Sequence, residues 1–325
     1  MPPESIGVVI IGRNEGARLV SCLASAQSQT TNIVYVDSGS TDGSIEAAER
    51  FAADVVRLDL TEPFTAARAR NAGFDRLLAL APDVRFVQFV DGDCTLADGW
   101  LEKALLFIVQ RPDTAVVCGR RRERYPEASV YNQLCDMEWN TPIGEADACG
   151  GDALMRVQAY KAVGGFRALS IAGEEPELCV RLREQGWKIW RLDAEMTLHD
   201  AAMTHFRQWW LRSVRCGYAY AEVARLHRAS KFGIWKRETK RALLWGGFLP
   251  IVLCLGTILY PIVLAGGLIY PVQITRIAVA KGPASFQSWL YAVFNIIGKL
   301  PEFQGIVRFY RRRWSGQVIA LIEYK

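Results

Sequence analysis

The sequence lacks the cysteine and glycine patterns of two common classes of cofactor site. Its eight cysteines include no Cys-x-x-Cys pair and no Cys/His cluster with zinc spacing. They are interpreted as ordinary buried thiols in a reducing compartment. The spacing Gly-x-Gly-x-x-Gly is also absent, which excludes the usual dinucleotide-binding fingerprint.

A signal-peptide pattern is missing at the amino-terminus. No basic region precedes the short apolar run Ile6–Ile11, and charged residues follow that run within a few positions. A secretory signal needs a basic start and a longer apolar core. We therefore expect the N-terminal domain to remain in the cytosol.

Charge is missing from one long stretch near the other end of the chain. No charged residue occurs between Arg241 and Arg276, a run of 34 residues. One transmembrane helix needs about 20 apolar residues, and two need about 40 plus a turn. Three prolines and the Gly266-Gly267 pair favour a broken path. We predict an apolar hairpin at about 242–275, re-entrant or doubly spanning, over the alternatives of a single span or a buried helical subdomain.

The basic charge of the protein is concentrated around this apolar run. Residues 228–325 contain 14 Lys/Arg and 3 Asp/Glu, a net charge of +11, whereas residues 1–227 contain 25 and 31, a net charge of −6. Basic flanks around apolar sequence favour an anionic membrane surface over nucleic acid, and they predict that both flanks are cytoplasmic. Apolar residues at helical spacing over about 285–300 predict an interfacial amphipathic helix.

Short apolar runs alternate with helical segments in the first half of the chain. Four strands are predicted at Ile6–Ile11, Asn32–Val36, Asp54–Leu58 and Arg85–Val90, with a helix after each of the first three. This alternation indicates βαβ units and an α/β, Rossmann-like fold with a mainly parallel sheet and flanking helices. Further strands are predicted at Thr114–Gly119 and Lys188–Leu192, and a long helix at Arg207–Arg228.

Acidic and polar side chains follow these strands. Asn14 and Glu15 follow the first strand, Asp37 the second, and Asp91 and Asp93 the fourth. Ligand sites of such sheets lie at the carboxyl ends of the strands. Residues i and i+2 of a strand share one side, so both carboxylates of Asp91-Gly92-Asp93 would emerge together. Such oxygen ligands suit Mg²⁺ or Mn²⁺, although Asp-Gly is also a common turn dipeptide.

Six motifs occur in an order that resembles the family-2 glycosyltransferases with the GT-A fold. They are VVIIGRNEG, VDSGSTDG, ARARNAG, VDGDCT, VGGF and GEEPEL. The resemblance covers about residues 6–215. The segments KLPEFQG and IEYK resemble, more loosely, the membrane-attachment region of bacterial members from polysaccharide-biosynthesis clusters. The resemblance implies a GT-A catalytic domain at 1–227 and a helical membrane-attachment region at 228–325.

The resemblance also implies a nucleotide-sugar donor and a divalent cation, Mn²⁺ or Mg²⁺. Asp93 would be the metal ligand of the D-x-D element, and Asp91 would contact the ribose or share the metal. His199 matches the position of a third, imidazole ligand, with His205 as a competing candidate. The residues implied at the nucleotide are Arg13, Asn14, Glu15, Asp37, Arg70 and Asn71, although a helix-interior arginine such as Arg70 is also expected on a solvated face.

Transfer to a hydroxyl requires a base within hydrogen-bond reach, and a carboxylate at a helix N-terminus is well placed for this. Relatives carry Glu-Asp at the position of Glu174-Glu175, with the second residue as base. Since the second residue here is Glu175, the choice between the two stays open. The alternative role of either acid is to stabilise the first helical turn.

Residues implied at the acceptor or the diphosphate are Gly151, Asp152, Arg207 and Arg212, since arginine suits phosphate oxygens. The Arg120–Arg124 cluster would either guide an anionic lipid diphosphate or form a solvated loop. Each of these assignments rests on residue type and position in the sequence.

The sequence thus predicts an inverting, metal-dependent glycosyltransferase on the cytoplasmic face of a bacterial inner membrane. It would move a sugar from a nucleotide-diphosphate donor, expected to be a UDP-sugar, to a lipid-linked saccharide in exopolysaccharide or cell-surface glycan synthesis. The alternatives are direct transfer to polyprenyl phosphate or another lipid, and a non-catalytic membrane scaffold. Membrane lipids are expected partners, nucleic acid is not, and a homo-oligomer is compatible with the sequence.

Overall fold

The computed structural model describes residues 5–168 and 171–315. The chain divides into two compact units, one that ends at Ala202 and one that begins at Met203. The helix Phe206–Leu226 therefore groups with the C-terminal residues, because it packs along the helix Lys299–Ser315. The functional division into residues 1–227 and 228–325 stays a prediction.

The first unit is built on one sheet, which has nine strands within the described residues. The strands are β1 (Ile6–Gly12), β2 (Ile33–Asp37), β3 (Asp54–Arg57), β4 (Phe86–Asp91), β5 (Cys94–Leu96), β6 (Thr114–Glu123), β7 (Gly144–Ala146), β8 (Ala153–Arg156) and β9 (Lys188–His199). Their order is β3-β2-β1-β4-β8-β6-β9-β5, and β7 pairs with β9.

Helices flank this sheet. They are α1 (Ala17–Gln27), α2 (Ser44–Arg50), α3 (Ala66–Leu80), α4 (Trp100–Gln110), α5 (Val130–Trp139), α6 (Val157–Ala162) and α7 (Glu174–Glu184). Strand β2 is buried at every residue and β1 at all but the last, as expected for strands covered on both faces. Gly73 allows α3 to lie close to the sheet, because a Cβ atom there would be 2.4 Å from Val9 Cγ1.

The predicted α/β class is confirmed, and the sheet is mixed. Strands β3, β2, β1 and β4 are parallel, as the alternation of strands and helices predicted. Beyond β4 both directions occur, since β8 is antiparallel to its neighbours β4 and β6, whereas β6 and β9 are parallel. The four-residue β8 was not predicted, because so short a run carries too little periodicity.

The second unit is helical. Its elements are α8 (Phe206–Leu226), α9 (Lys236–Ala242), a π-helical turn (Leu243–Phe248), α10 (Leu249–Leu259), a 3₁₀ segment (Pro261–Leu268), α11 (Ile269–Lys281), α12 (Phe286–Ile297) and α13 (Lys299–Ser315). Helices α8 and α13 are joined by the Trp210 indole, whose Nε1 donates to Gln304 Oε1 at 2.9 Å, and by Tyr218 against Phe309, ring centroids 5.4 Å apart.

The uncharged run forms a helical hairpin. Two continuous segments, Lys236–Leu259 and Pro261–Lys281, are long and apolar enough to cross a membrane by length and composition. Only 17% of the apolar stretch of the first and 6% of that of the second is buried, unlike the core helix of a soluble protein. The two segments fold back on each other. Tyr270 Oη of the second segment donates a hydrogen bond to Trp245 O of the first at 2.9 Å. Membrane insertion of this hairpin stays a prediction.

The predicted interfacial helix at about 285–300 corresponds to α12. Its buried residues are Ser288, Ala292 and Ile296, which share one face of the helix. Phe286 and Trp289 of the predicted apolar stripe are exposed. An exposed aromatic residue at the start of an amphipathic helix suits a headgroup-level position, and that position stays a prediction.

Candidate active site

Asp91 ends β4, and Gly92 and Asp93 form the tight turn that leads to β5. The sequence offered a turn and a metal site as alternatives, and the turn is present. The two carboxylates differ in environment, since the side chain of Asp93 is 6% exposed and that of Asp91 28% exposed. The two acids of the D-x-D element are therefore suited to different roles.

His199 lies beside Asp93. Strand β9 was predicted to end at Leu192 but continues to His199, where it pairs antiparallel with β5 and places His199 opposite Cys94. His199 Nε2 lies 3.3 Å from Asp93 Oδ2. The competing candidate His205 belongs to the second unit, where it forms the N-terminal capping box of α8 with Gln208. Within the first unit, His199 is therefore the histidine that lies beside Asp93.

The atoms around Asp93 fit a divalent cation. Ligand atoms of Asp93, Cys94 and His199 lie within 4.8 Å of one another. Burial, together with neighbouring carboxylates, raises the pKa of the Cys94 thiol well above its ordinary value, so this sulfur stays protonated and is a poor ligand for a hard cation. A carboxylate and an imidazole suit Mn²⁺ or Mg²⁺ with water and phosphate oxygens. The pair Asp93 and His199 therefore would hold the ion.

Glu123 supports His199 from behind. Its Oε2 lies 3.6 Å from His199 Nδ1 and accepts a hydrogen bond from Ala201 N at 3.0 Å. Trp139 contacts the other side of the imidazole, with ring centroids 4.8 Å apart and near-perpendicular planes. Glu123 thus lies just beyond hydrogen-bond distance of His199 Nδ1, on the side from which a carboxylate commonly orients a histidine ligand. Sequence inspection missed Glu123 because it assigned this residue to the basic cluster.

Two arginines neutralise Asp91. Arg70 Nη2 lies 2.8 Å from Asp91 Oδ1, and Arg121 Nη2 lies 3.4 Å from Asp91 Oδ2. Burial alone would raise the pKa of Asp91, but these two cations outweigh it and hold the pKa below its ordinary value. Asp91 is therefore ionised and already paired, which favours Asp93 over Asp91 as the metal ligand.

The position of Arg121 shows that the Arg120–Arg124 cluster is not a solvated loop. Residues 120–123 belong to strand β6, not to a solvated loop, and Arg121 reaches Asp152 Oδ2 at 3.4 Å as well as Asp91. Arg122 faces outward and pairs with Glu195 at 2.8 Å. Strand alternation places Arg121 and Glu123 on one side, and this period of two was the signal that could have identified both.

Arg70 connects Asp91 to helix α7. Its Nη1 lies 2.9 Å from an oxygen of Glu174 and 2.9 Å from one of Glu175. The guanidinium is buried, so the expectation of a solvated face is wrong. Burial and the adjacent Glu174 raise the pKa of Glu175 to about 7, against the opposing charge of Arg70. A carboxylate with a pKa near neutrality is suited to accept a proton at physiological pH.

The loops after β1 and β2 are tied to each other. Asn14 Oδ1 accepts from Thr41 N at 2.8 Å, and Asn14 N donates to Ser40 Oγ at 2.9 Å. Asp37 Oδ2 accepts from Gly39 N and Ser40 N, each at 2.9 Å. The register sets Gly12 beside Asp37 and Ile11 beside Asp91, so these loops lie at the same sheet edge as the acids.

The other two residues of the first loop are held by contacts within the loop region. The Arg13 guanidinium lies 4.9 Å from the ring centroid of Phe64, and Glu15 pairs with Arg18 at 2.8 Å. A Cβ atom at Gly92 would be 3.2 Å from Glu15 Cγ, so Glu15 reaches the turn between β4 and β5. Nucleotide binding by this loop stays a prediction.

Comparison with known proteins identifies this arrangement. The model of the family described as Glycosyl transferase family 2 matches residues 7–164, which include the strands and loops that carry Asn14, Asp37 and Asp91. Residues 7–164 therefore form a domain that matches glycosyltransferase family 2. The predicted resemblance is therefore confirmed.

Individual relatives agree with this assignment. The chain is 26% identical to succinoglycan biosynthesis protein ExoA of Rhizobium meliloti (strain 1021), over 57% of the chain and 60% of ExoA. It is 25% identical to glycosyltransferase AglE of Haloferax volcanii, over 75% of the chain and 81% of AglE. The match therefore leaves two fifths of the length of ExoA without a counterpart.

A solved structure shares the fold. It is the mannosyltransferase PcManGT from Pyrobaculum calidifontis in complex with GDP-Man and Mn²⁺, with a TM-score of 0.61 at 17% identity, over 89% of the chain and 85% of that protein. At this identity the likeness establishes the GT-A fold alone. The predicted fold class is thereby confirmed.

Asn71, which was predicted at the nucleotide, is held by contacts within the first unit. Asn71 bonds within the protein, because its Oδ1 accepts from Tyr160 Oη at 2.6 Å and its Nδ2 donates to Phe166 O at 2.8 Å. Through these contacts, Asn71 holds the VGGF turn against the neighbouring helix. Arg207 and Arg212 lie on α8 in the second unit, and their role at the diphosphate stays a prediction.

Gly151 and Asp152 lie beside Asp91 and Arg70 in the candidate site. Strand β8 begins directly after them and pairs with β4, so Asp152 Oδ1 accepts from Asp91 N at 3.1 Å and its Oδ2 from Thr197 Oγ1 at 2.8 Å. A Cβ atom at Gly151 would be 2.7 Å from Arg70 Nη2 and 2.8 Å from Asp91 Oδ2. Only glycine leaves room for the Arg70–Asp91 pair.

The substitution Gly151→Ala is therefore expected to displace that ion pair and lower the transfer rate by about tenfold or more, since a shift of about 1 Å at a reacting centre can cost 10²-fold. Gly150→Ala is the matched control, because a Cβ atom there meets nothing within 4 Å. Initial rates and thermal unfolding of both variants provide the measurement. Equal rates for the two variants would exclude the crowding effect.

Proposed function

We propose that this protein is an inverting, metal-dependent glycosyltransferase that moves a sugar from a nucleotide-diphosphate donor to a lipid-linked saccharide. The main support for the proposal is that possible cation ligands and candidate base carboxylates lie in one cluster of connected side chains. Asp93 and His199 offer ligand atoms that would hold a cation, and Arg70 links the adjacent Asp91 to the carboxylates of Glu174 and Glu175. A donor site and a proton acceptor are thus adjacent.

The residues of the cluster have separate roles in this proposal. Asp93 and His199 hold the cation, which when bound neutralises the leaving diphosphate as a Lewis acid. Asp91, fixed by Arg70 and Arg121, accepts a hydrogen bond from the donor. The loops at Asn14 and Asp37 surround the base and ribose. These roles follow the chemistry of each side chain and the contacts given above.

Glu175 is the base in this proposal. Its side chain is 12% exposed against 5% for Glu174, and its pKa of about 7 suits proton transfer. It takes the proton of the acceptor hydroxyl as that oxygen bonds to the anomeric carbon and the nucleotide diphosphate leaves. One displacement of this kind inverts the anomeric configuration.

The relatives support the choice of substrates. ExoA is named for succinoglycan biosynthesis, and the solved mannosyltransferase carries GDP-Man and Mn²⁺. The first name supports an acceptor in exopolysaccharide synthesis. The second supports a nucleotide-sugar and a divalent cation here, with a guanosine donor to be compared with the uridine donor that we expect.

The apolar hairpin supports action at a membrane. Its two segments have the length and exposure of membrane-associated helices, and basic residues flank them. Cytoplasmic flanks follow from the distribution of basic charge. We therefore place the enzyme on the cytoplasmic face of the bacterial inner membrane, where lipid-linked acceptors would reach it.

A donor screen tests this proposal. Purified protein is incubated with UDP-, GDP- and dTDP-sugars, in Mn²⁺, in Mg²⁺ and in chelator, and release of nucleoside diphosphate is measured. We expect one of these nucleotide-sugars to be hydrolysed at least tenfold faster than the others, and we expect chelator to abolish the reaction. Adding lipid-linked saccharide or polyprenyl phosphate then separates the two acceptor classes. No turnover with any donor and acceptor would favour a non-catalytic scaffold.

A further inference from the structure

A basic cleft occurs in the second unit, outside the residues that form the candidate active site. Its volume is about 390 Å³, and its lining consists of Lys236, Arg237, Lys240, Arg241 and Leu244. These residues belong to α9 and the π-helical turn that follows it. Arg237, Lys240, Arg241 and Leu244 are spaced as i, i+3, i+4 and i+7, so they share one face of the helix.

The cleft has more cations than the protein itself neutralises. Lys236 Nζ donates to Arg228 O at 3.0 Å and to Ser230 O at 3.3 Å, which engages that ammonium with backbone carbonyls. Within residues 5–168 and 171–315, Arg237, Lys240 and Arg241 have no acidic partner. Like charges four residues apart repel in a helix. An anion in the cleft would relieve this repulsion.

An exposed apolar surface follows the cleft along the same continuous helix. Phe248, Ile251 and Leu255 lie about two to four turns beyond Arg241 and are 61%, 51% and 59% exposed. A ligand that satisfies both regions carries a phosphate at one end and acyl chains at the other. Arginine pairs bind phosphate oxygens well, and basic residues next to an apolar helix attract anionic lipids.

We propose that this cleft binds the phosphate headgroup of an anionic membrane phospholipid. The basic face of α9 contacts the headgroup, and the exposed side of α10 lies along the acyl chains. The inference rests on the membrane association in the proposed function and is independent of the transfer reaction. In this proposal the basic residues of α9 bind one lipid headgroup at a defined site, in addition to the general attraction between basic residues and an anionic membrane surface.

Lipid retention by the full chain tests this site. The protein is purified in neutral detergent doped with phosphatidylglycerol or with phosphatidylcholine, and bound lipid per protein is measured by phosphorus analysis after detergent washing. We expect about tenfold tighter retention of phosphatidylglycerol, lost in the Arg237→Gln/Arg241→Gln variant. The matched control is Arg308→Gln/Arg311→Gln on α13, which removes the same charge at exposed positions and is expected to retain the lipid.

Several outcomes would overturn the site. These are equal retention of the two lipids, equal loss in the control variant, and complete competition by inorganic phosphate at the same concentration. If the double variant fails to fold, a salt titration of the wild-type protein replaces it, because electrostatic preference must weaken at 1 M salt. Partition into neutral phosphatidylcholine vesicles tests membrane association separately, so its failure is distinguishable from failure of the headgroup site.

Discussion

Replacement of Asp93 by asparagine is expected to lower sugar transfer by about 10³-fold, because a Lewis-acid cation supplies several kcal/mol of transition-state stabilisation. The substitution keeps the size of the side chain but removes the negative oxygen that faces His199 Nε2 at 3.3 Å. It also removes one of the three carboxylates Asp91, Asp93 and Asp152 that surround Cys94. We therefore expect folding to be preserved.

Two measurements establish whether the loss comes from the cation. Mn²⁺ binding, followed by its electron paramagnetic resonance signal, should weaken in Asp93→Asn together with the transfer rate. Asp98→Asn is the matched control, since Asp98 lies in the exposed turn after β5. Unchanged Mn²⁺ affinity in Asp93→Asn would contradict the metal site, even if activity were lost.

His199→Gln should give a smaller loss than Asp93→Asn, since an uncharged ligand contributes less to holding a dication than a carboxylate does. Asp91→Asn is expected to act differently from both, by releasing Arg70 and Arg121 from their shared partner. Its Mn²⁺ affinity should change less than its KM for the donor. This separation distinguishes a metal ligand from a donor contact.

The acids of the site were predictable from the sequence because they follow buried strands. Asp37 and Asp91 follow the short, mostly apolar runs IVYV and FVQFV, and parallel strands bring their carboxyl ends to one edge. Local pattern sufficed for these positions. It also predicted Glu174 and Glu175 at the start of α7, because a proline and acids in the first turn mark a helix N-terminus.

The basic partners of these acids were not predictable in the same way. Arg70 pairs with residues 21 and 104 positions away in the chain, and only the tertiary fold brings them together. Arg121 and Glu123 lie in the charged second part of β6, beyond the predicted Thr114–Gly119, so hydropathy did not indicate that the buried strand continues there. Buried ion pairs offset the cost of desolvating each charge, and a linear sequence does not record that compensation.

Replacement of Glu175 by glutamine is expected to lower turnover by about 10²- to 10⁴-fold, the usual contribution of a positioned general base. Glu174→Gln should lose less, because the side chain of Glu174 is the more enclosed of the two, 5% exposed against 12% for Glu175. The two variants are matched controls for each other, since each removes one charge next to the same guanidinium. Initial rates at saturating donor and acceptor provide the comparison.

The pH dependence of the rate gives a second, independent test. The pKa of Glu175 is raised to about 7, so the base is protonated below that pH and the wild-type rate should rise as pH increases through about 7. Glu175→Gln should lose this rise, whereas Glu174→Gln should keep a rise at a lower pH, because removal of the adjacent negative charge lowers the pKa of Glu175. Retention of the full rise in Glu175→Gln would assign the base to another group.

Stability should change in the opposite direction to activity. Because the folded-state pKa of Glu175 lies above the ordinary value of 4.5, the folded protein holds this proton more tightly than the unfolded chain. Ionisation of Glu175 therefore destabilises the folded protein increasingly as pH rises from about 4.5 through about 7. The loss of folding free energy reaches up to about 3 kcal/mol above pH 7. We expect Glu175→Gln to unfold at a higher temperature than the wild type at pH 8 and at a similar temperature at pH 4. A lower unfolding temperature at pH 8 would mean that the pairing of Glu175 with Arg70 outweighs burial, and Glu175 would then be a structural residue.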